Sequence, residues 1–161
     1  LKIISAKTAE LFAAATKVGA ILSDMETKEK EALEFYGRNL GLTFQIADDT
    51  LDYNSELKLF GKKIGNDFYE GKITLPIILL FQKANYEEKD KLKKIFLNNN
   101  REECDLKYTL SLIKNYNIIN KCYQKAHHYI NLASNSLSLF NDCEEKNILE
   151  NLTSFSLSRD F

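Results

Sequence analysis

One proline and six glycines in 161 residues are too few to punctuate a protein of strands and tight turns. So few interruptions favour helices throughout. Three cysteines, Cys104, Cys122 and Cys143, are scattered and odd in number. That argues against a disulfide framework and for a reducing, cytoplasmic compartment. Charge of either sign is not in excess: 22 Lys plus Arg against 23 Asp plus Glu leave a net charge of −1. Nothing therefore points to nucleic acid or to an anionic membrane surface. No apolar run approaches the ~20 residues of a membrane span, and no signal-peptide pattern is present. What remains is a chain of one domain's length, 44% hydrophobic, enough for a single helical core.

The informative stretch is Gly41 to Tyr53. It holds three carboxylates, Asp48, Asp49 and Asp52, and no Lys or Arg. On a helix Asp48 and Asp52 stand one turn apart, about 5–6 Å from each other. Like charges so close are comfortable only beside a cation or when partly protonated. Oxygen ligands that leave room for water and phosphate suit Mg²⁺. The same window carries an apolar seam, Leu33, Tyr36, Leu40, Phe44, Ala47 and Leu51, at spacings of three and four. A second stripe, Arg38, Gly41, Gln45, Asp48 and Asp52, lies about 60–100° away. The aspartates are thus predicted beside the core seam, in an internal cleft, and not on the far solvated face.

Further segments add to this one. They are Lys7-Thr8-Ala9-Glu10-Leu11-Phe12, Tyr36-Gly37-Arg38-Asn39-Leu40-Gly41, Gly61-Lys62-Lys63-Ile64-Gly65-Asn66-Asp67 and Glu70-Gly71-Lys72-Ile73-Thr74-Leu75-Pro76. In this order they resemble the C-terminal half of the trans-isoprenyl diphosphate synthases, most of all the long-chain, octaprenyl-type members. The tail Ser158-Arg159-Asp160 resembles the end of such an enzyme. The likeness is dense from Lys7 to Pro76 and thin from Leu80 to Asn151.

The resemblance implies an all-α antiparallel bundle of the isoprenoid synthase type, of which residues 1–161 form one helical portion. It implies a prenyltransferase that condenses isopentenyl diphosphate head to tail with an allylic diphosphate, giving a long-chain polyprenyl diphosphate for a quinone side chain. Mg²⁺ is the implied cofactor, held by Asp48, Asp49 and Asp52, and a homodimer is the implied assembly, without stable membrane insertion. Lys7, Thr8, Gln45, Lys62 and Lys72 are the implied diphosphate contacts; Asp48, Asp49 and Lys7 are the implied catalytic groups. Lys62 fits the register better than Lys63. Phe44 either lines the prenyl pocket or is plain core. Asp67 either binds a metal through water or caps the following turn. Arg159 approaches the second diphosphate in the family and lies here at a free end. The family also has a first aspartate-rich motif upstream of its Lys-Thr pair. Glu87-Glu88, Glu102-Glu103 and Glu144-Glu145 each lack the carboxylate one turn later that would make one. The chain, which begins at Leu1, is therefore expected to be the C-terminal half of an enzyme, inactive alone. The alternative is a non-catalytic helical subunit or interaction module of a heteromeric prenyl synthase. A terpene cyclase would need a second motif of Asn, Ser/Thr and Glu, which is not seen.

Local patterns set further expectations. Helices are predicted over about 2–22, 28–53, 87–97, 101–114, 117–138 and 142–157, with Asn54 to Gly71 as a loop. Thr27 and Thr74 are predicted N-caps. Gly37 and Gly41 predict close approach of another helix or of the prenyl chain. The helix from Leu75 is apolar almost all round and predicted central, with the helices after it as an outer packing layer. Leu11, Val18 and Leu40 are expected to face water in this portion alone. His127-His128 points about 100° apart on a helix and makes a poor zinc site.

Overall fold

Scarce proline and glycine leave helices as the regular elements of the described residues. The computed structural model describes residues 1–54 and 64–157, and every element among them is a helix. In order these are α1 (Lys2–Ile4), a π-helical turn (Ser5–Ala9), α2 (Glu10–Leu22), α3 (Thr27–Leu51), α4 (Asn66–Tyr69), α5 (Leu75–Lys83), α6 (Tyr86–Leu97), α7 (Glu103–Asn115), α8 (Ile118–Ser136), a 3-10 turn (Leu137–Leu139) and α9 (Glu144–Phe155). No helix among the described residues is long and apolar enough to cross a membrane. The chain forms two compact units, one of Leu1–Ala47 with the residues from Gln124 on, the other of Asp48–Tyr123.

In the first unit α2 and α3 meet through small residues. Ala9, Ala13 and Ala20 are buried, and Ala9 lies against Gly41 while Thr16 and the Phe12 carbonyl lie against Gly37. A methyl on Gly41 would stand 2.7 Å from the Ala9 Cα, and one on Gly37 would collide with Thr16 and the Phe12 carbonyl. The glycines therefore admit a neighbouring helix, one of the two reasons expected of them. Thr16 Oγ1 donates to the Leu33 carbonyl at 2.6 Å across the same contact. Charged side chains close its edge: Lys17 pairs with Glu34 at 2.6 Å, and Arg38 pairs with both Glu34, at 3.0 Å, and Glu10. The apolar seam of α3 then meets the end of α8, with Tyr36, Leu40, Ala133 and Leu137 forming one core cluster. The Tyr36 hydroxyl donates to the Leu149 carbonyl of α9 at 2.8 Å.

Three expectations change here. Leu40 is only 7% exposed, because Ala133 and Leu137 cover it, whereas Leu11 and Val18 do face water at 75% and 50%. Thr27 is not the cap of α3. The Glu26 carbonyl accepts the Lys30 N–H, and the Glu29 carboxylate returns to the Glu26 N–H at 2.7 Å. The Glu three residues in serves the N–H of the cap residue itself, whereas a cap hydroxyl would accept from an N–H two or three residues on. The first helix is also not continuous: Ser5–Ala9 is a π turn, closed by the Glu10 N–H on the Ser5 carbonyl.

The second unit is built on α5. Ile77 and Leu80 are fully buried, and Phe68, Leu92, Ile95, Leu106, Leu112 and Ile113 pack around them. The helices α6 and α7 are the packing layer expected of them: each buries one face with α5, through Leu92 and Ile95 in α6 and Leu106, Leu112 and Ile113 in α7, and leaves its charged face exposed. A nine-residue α5 buries one face only, and Ile78 on its other side stays exposed. Helix α6 starts at Tyr86 because Asn85 and Glu88 form a reciprocal capping box. Thr74 does occupy the N-cap position of α5, but its hydroxyl makes no capping bond.

Candidate functional site

The aspartates end α3 in the second unit. Asp48 is half-buried; Asp49 and Asp52 are 5% and 8% exposed. They do not point into open solvent, as the seam predicts. Their surroundings make them unequal. The Asp52 carbonyl accepts the Gly65 N–H at 2.9 Å, and its carboxylate Oδ1 and Oδ2 accept the Asn66 and Asp67 N–H groups at 3.0 and 2.9 Å. These three bonds tie the end of α3 to the first turn of α4. Two of the orphan donors of that short helix are satisfied by an anion at its positive end. Gly65 makes the turn possible: its φ of +87° is left-handed, and a methyl there would press on Leu106.

Asp67 consequently does not cap the turn; its own N–H is capped. Its carboxylate Oδ1 instead receives Lys72 Nζ at 3.1 Å, and Lys72 also pairs with Glu70 at 2.6 Å. Bonding to Glu70 and then to Asp67 holds the Lys72 ammonium above the usual lysine range. It stays cationic at any working pH. Tyr53 lies behind this group, 1% exposed. Burial pushes its phenol up, and the charges of Asp52, Asp67 and Asp49 push it further. Its hydroxyl faces that of Thr74, yet neither makes a well-aligned hydrogen bond among the described residues. Tyr53 also borders a cavity of about 410 Å³ with Asn54, Lys114, Asn117, Asn120 and Tyr123, and among the described residues it is the member of the aspartate segment that reaches that cavity.

The other candidates lie in the first unit. Lys7 and Thr8 occupy the π turn, a feature that recurs at functional positions in helices. Lys7 is exposed and Thr8 half-buried. Thr8 Oγ1 donates to Gln45 Oε1 at 2.8 Å. The turn is held against α3 because Ala9, fully buried, seats on Gly41. Phe12 and Phe44 pack with ring centroids 5.5 Å apart, so Phe44 serves the packing of α2 on α3. Lys62, Lys63 and Arg159 lie outside the described residues. His127 and His128 are exposed.

Among the described residues no three His, Cys, Asp or Glu side chains converge on one cation position. A closed protein cage is not what these residues form. They suit a hard cation that keeps several waters and shares its shell with phosphate oxygens, because Mg²⁺ bound in that way needs only one or two carboxylates. Asp48, the least enclosed of the three, can offer one.

Comparison with known proteins decides the family. The polyprenyl synthetase family model matches residues 1–113. The chain belongs to the polyprenyl synthetase family. A short chain isoprenyl diphosphate synthase of Methanothermobacter thermautotrophicus is 33% identical over 160 residues, covering 99% of this chain and 49% of that protein. The octaprenyl diphosphate synthase of Haemophilus influenzae is 27% identical over 161 residues, 100% of this chain and 49% of the relative. Among solved structures, a Caulobacter crescentus polyprenyl synthase, in complex with calcium and isoprenyl diphosphate, superposes with a TM-score of 0.90 at 37% identity, covering 99% of this chain and 48% of that one. This polyprenyl synthetase chain thus spans about half the length of the relatives it matches, and its all-helical architecture is that of half of their fold.

The sequence singled out the aspartates, Thr8, Gln45 and Lys72. It missed the Asp52 clamp, the π turn under Lys7 and the Tyr53–Thr74 pair. The clamp joins residues 14 apart, and its only signal was a glycine and an asparagine where a short helix begins.

Proposed function

We propose that the chain contributes the second aspartate-rich, Mg²⁺-diphosphate side of a prenyltransferase. The reaction is head-to-tail condensation of isopentenyl diphosphate with an allylic diphosphate, giving a long-chain polyprenyl diphosphate. The observation that carries the reading is the buried aspartate turn, clamped by Asp52 to the α4 turn whose Asp67 holds Lys72. An acidic turn tied to a segment that carries a lysine suits a metal diphosphate, whose cation takes carboxylate oxygens and whose phosphates take the ammonium. Mg²⁺, when bound, neutralises phosphate charge as a Lewis acid. Asp48 and Asp49 supply the anionic oxygens that attract it. Asp52 keeps the α4 turn in register. Lys72 and Lys62 balance the remaining phosphate charge as fixed cations. Lys7, Thr8 and Gln45 hold and orient the allylic diphosphate, with the Thr8–Gln45 bond fixing the amide that faces it. The full enzyme is a homodimer acting in the cytoplasm, and this chain alone has no turnover, because neutralisation from one side does not ionise the allylic substrate.

The test is a chimera in which these 161 residues replace the matched half of the Haemophilus influenzae octaprenyl synthase. It should elongate farnesyl diphosphate, and Asp48→Ala should lower kcat by at least a few orders of magnitude with the fold intact. A folded chimera with equal kcat before and after Asp48→Ala contradicts the reading.

A second reading, a non-catalytic subunit of a two-chain synthase, is favoured by the outer face of α2. Leu11, Val18 and Leu22 are 75%, 50% and 82% exposed there. A face so apolar suits a partner. A chimera that folds and binds a second chain but never turns over favours this reading.

A further inference from the structure

Tyr53 is the one large polar side chain beneath the aspartate turn that the proposed function does not use. It is 1% exposed, its hydroxyl has no well-aligned partner among the described residues, and the negative charges of Asp52, Asp67 and Asp49 bear on it. The Thr74 hydroxyl faces it in the same condition. Buried hydroxyls are ordinarily satisfied, so two orphans side by side in one place call for a cause. A phenol carries one O–H to give. The acceptors at hand are carboxylates, of which Asp52 accepts from the α4 backbone and Asp67 from Lys72.

We propose that the Tyr53 hydroxyl, supported by Thr74, is a positioning group for the divalent cation: it donates to the carboxylate layer when cation and diphosphate draw those oxygens forward. This rests on the proposed cation–diphosphate site and deepens it. In the cation-free chain the hydroxyl meets Thr74 and makes no well-aligned bond to a carboxylate among the described residues. Its removal should then cost the fold nothing and cost cation binding a good deal. Outer hydrogen-bond partners of metal ligands typically account for about 10–100-fold in metal affinity. Thr74 acts through Tyr53 by keeping the phenol oriented, and it ends the loop that Lys72 begins.

The experiment is isothermal titration of Mg²⁺ into the full chain in the presence of inorganic pyrophosphate, with thermal unfolding measured on the same samples without Mg²⁺. Tyr53→Phe should weaken Mg²⁺ binding about tenfold or more, with Tm equal to or above wild type. Thr74→Val should move in the same direction, and Thr74→Ser, which keeps the hydroxyl, should restore wild-type affinity. Unchanged Mg²⁺ affinity in Tyr53→Phe overturns the inference and leaves the proposed function standing. Loss of Tm together with affinity in both Tyr53→Phe and Thr74→Val also overturns it, since the hydroxyls would then be structural. Absence of Mg²⁺-dependent pyrophosphate binding in wild type overturns the proposed function, and this inference with it.

Discussion

The Asp52 carboxylate holds the backbone of Asp67: Oδ2 accepts the Asp67 N–H at 2.9 Å while Oδ1 takes the Asn66 N–H at 3.0 Å. Asp52 therefore differs from Asp48, although the two stand one turn apart with the same chemistry. Asp52→Ala leaves two backbone donors of a short helix without an acceptor and should destabilise the chain by about 2–3 kcal/mol. Asp48→Ala removes one of several like charges and should leave stability unchanged or raise it. Urea unfolding of the two variants without metal checks this. Equal losses would mean that the clamp contributes nothing.

Gly41→Ala should separate α2 from α3. The new methyl would stand 2.7 Å from a backbone atom, the Ala9 Cα, which cannot rotate away. Overpacking of this kind costs about 1–3 kcal/mol. Because Ala9 closes the π turn that carries Lys7 and Thr8, pyrophosphate affinity should fall as well. Gly19→Ala is the control: nothing lies within 4 Å of its added methyl, and it should stabilise by about 0.5–1 kcal/mol. Denaturant midpoints of both variants decide the matter.

Leu11→Asp with Val18→Asp should reduce self-association without lowering Tm. Both positions already face water, so no core contact is lost, while a large apolar patch is broken. Sedimentation velocity across a concentration series is the measurement. An unchanged association constant would mean that another surface mediates the contact.

Tyr36 sets an alkaline limit. Burial raises its phenol from 10.0 to about 12. The neutral form is thus favoured in the folded state. Its stabilisation is fully present below pH 10 and is lost as the pH rises through 12. Tyr36→Phe should be less stable near pH 7 by about 0.5–1.5 kcal/mol, having lost the bond to Leu149. It should lose less than wild type between pH 10 and 12. Urea unfolding at pH 8 and pH 11 compares the two slopes.

Much of this was legible in the chain. The seam spacing placed Tyr36 and Ala47 inside and put the aspartates next to them, because a helical period fixes which residues share a face, whereas Leu40, expected to face water, is covered by Ala133 and Leu137. Motif order singled out Lys7, Thr8, Gln45 and Lys72, and the structure adds that Thr8 bonds Gln45 and Lys72 bonds Asp67. Contacts between distant segments were not legible. The π turn arises where Ala9 seats on Gly41, and nothing in Ser5-Ala6-Lys7-Thr8-Ala9 announces an inserted residue. The amphipathic patterns of α6 and α7 imply one buried face each, but that Leu92, Ile95, Leu106, Leu112 and Ile113 meet in one cluster with Ile77 and Leu80 is a tertiary fact. Asp52 reads as a ligand in the motif, and only the return of the chain to Asn66 and Asp67 gives it a second task.

The most direct test of the account is titration of inorganic pyrophosphate into the 161-residue chain, with and without Mg²⁺, in wild type and in Asp48→Ala. The account predicts weak binding by wild type that requires Mg²⁺ and is lost in Asp48→Ala, in a variant that unfolds at no lower urea concentration than wild type. Binding that is equal without Mg²⁺, or equal in Asp48→Ala, would contradict it.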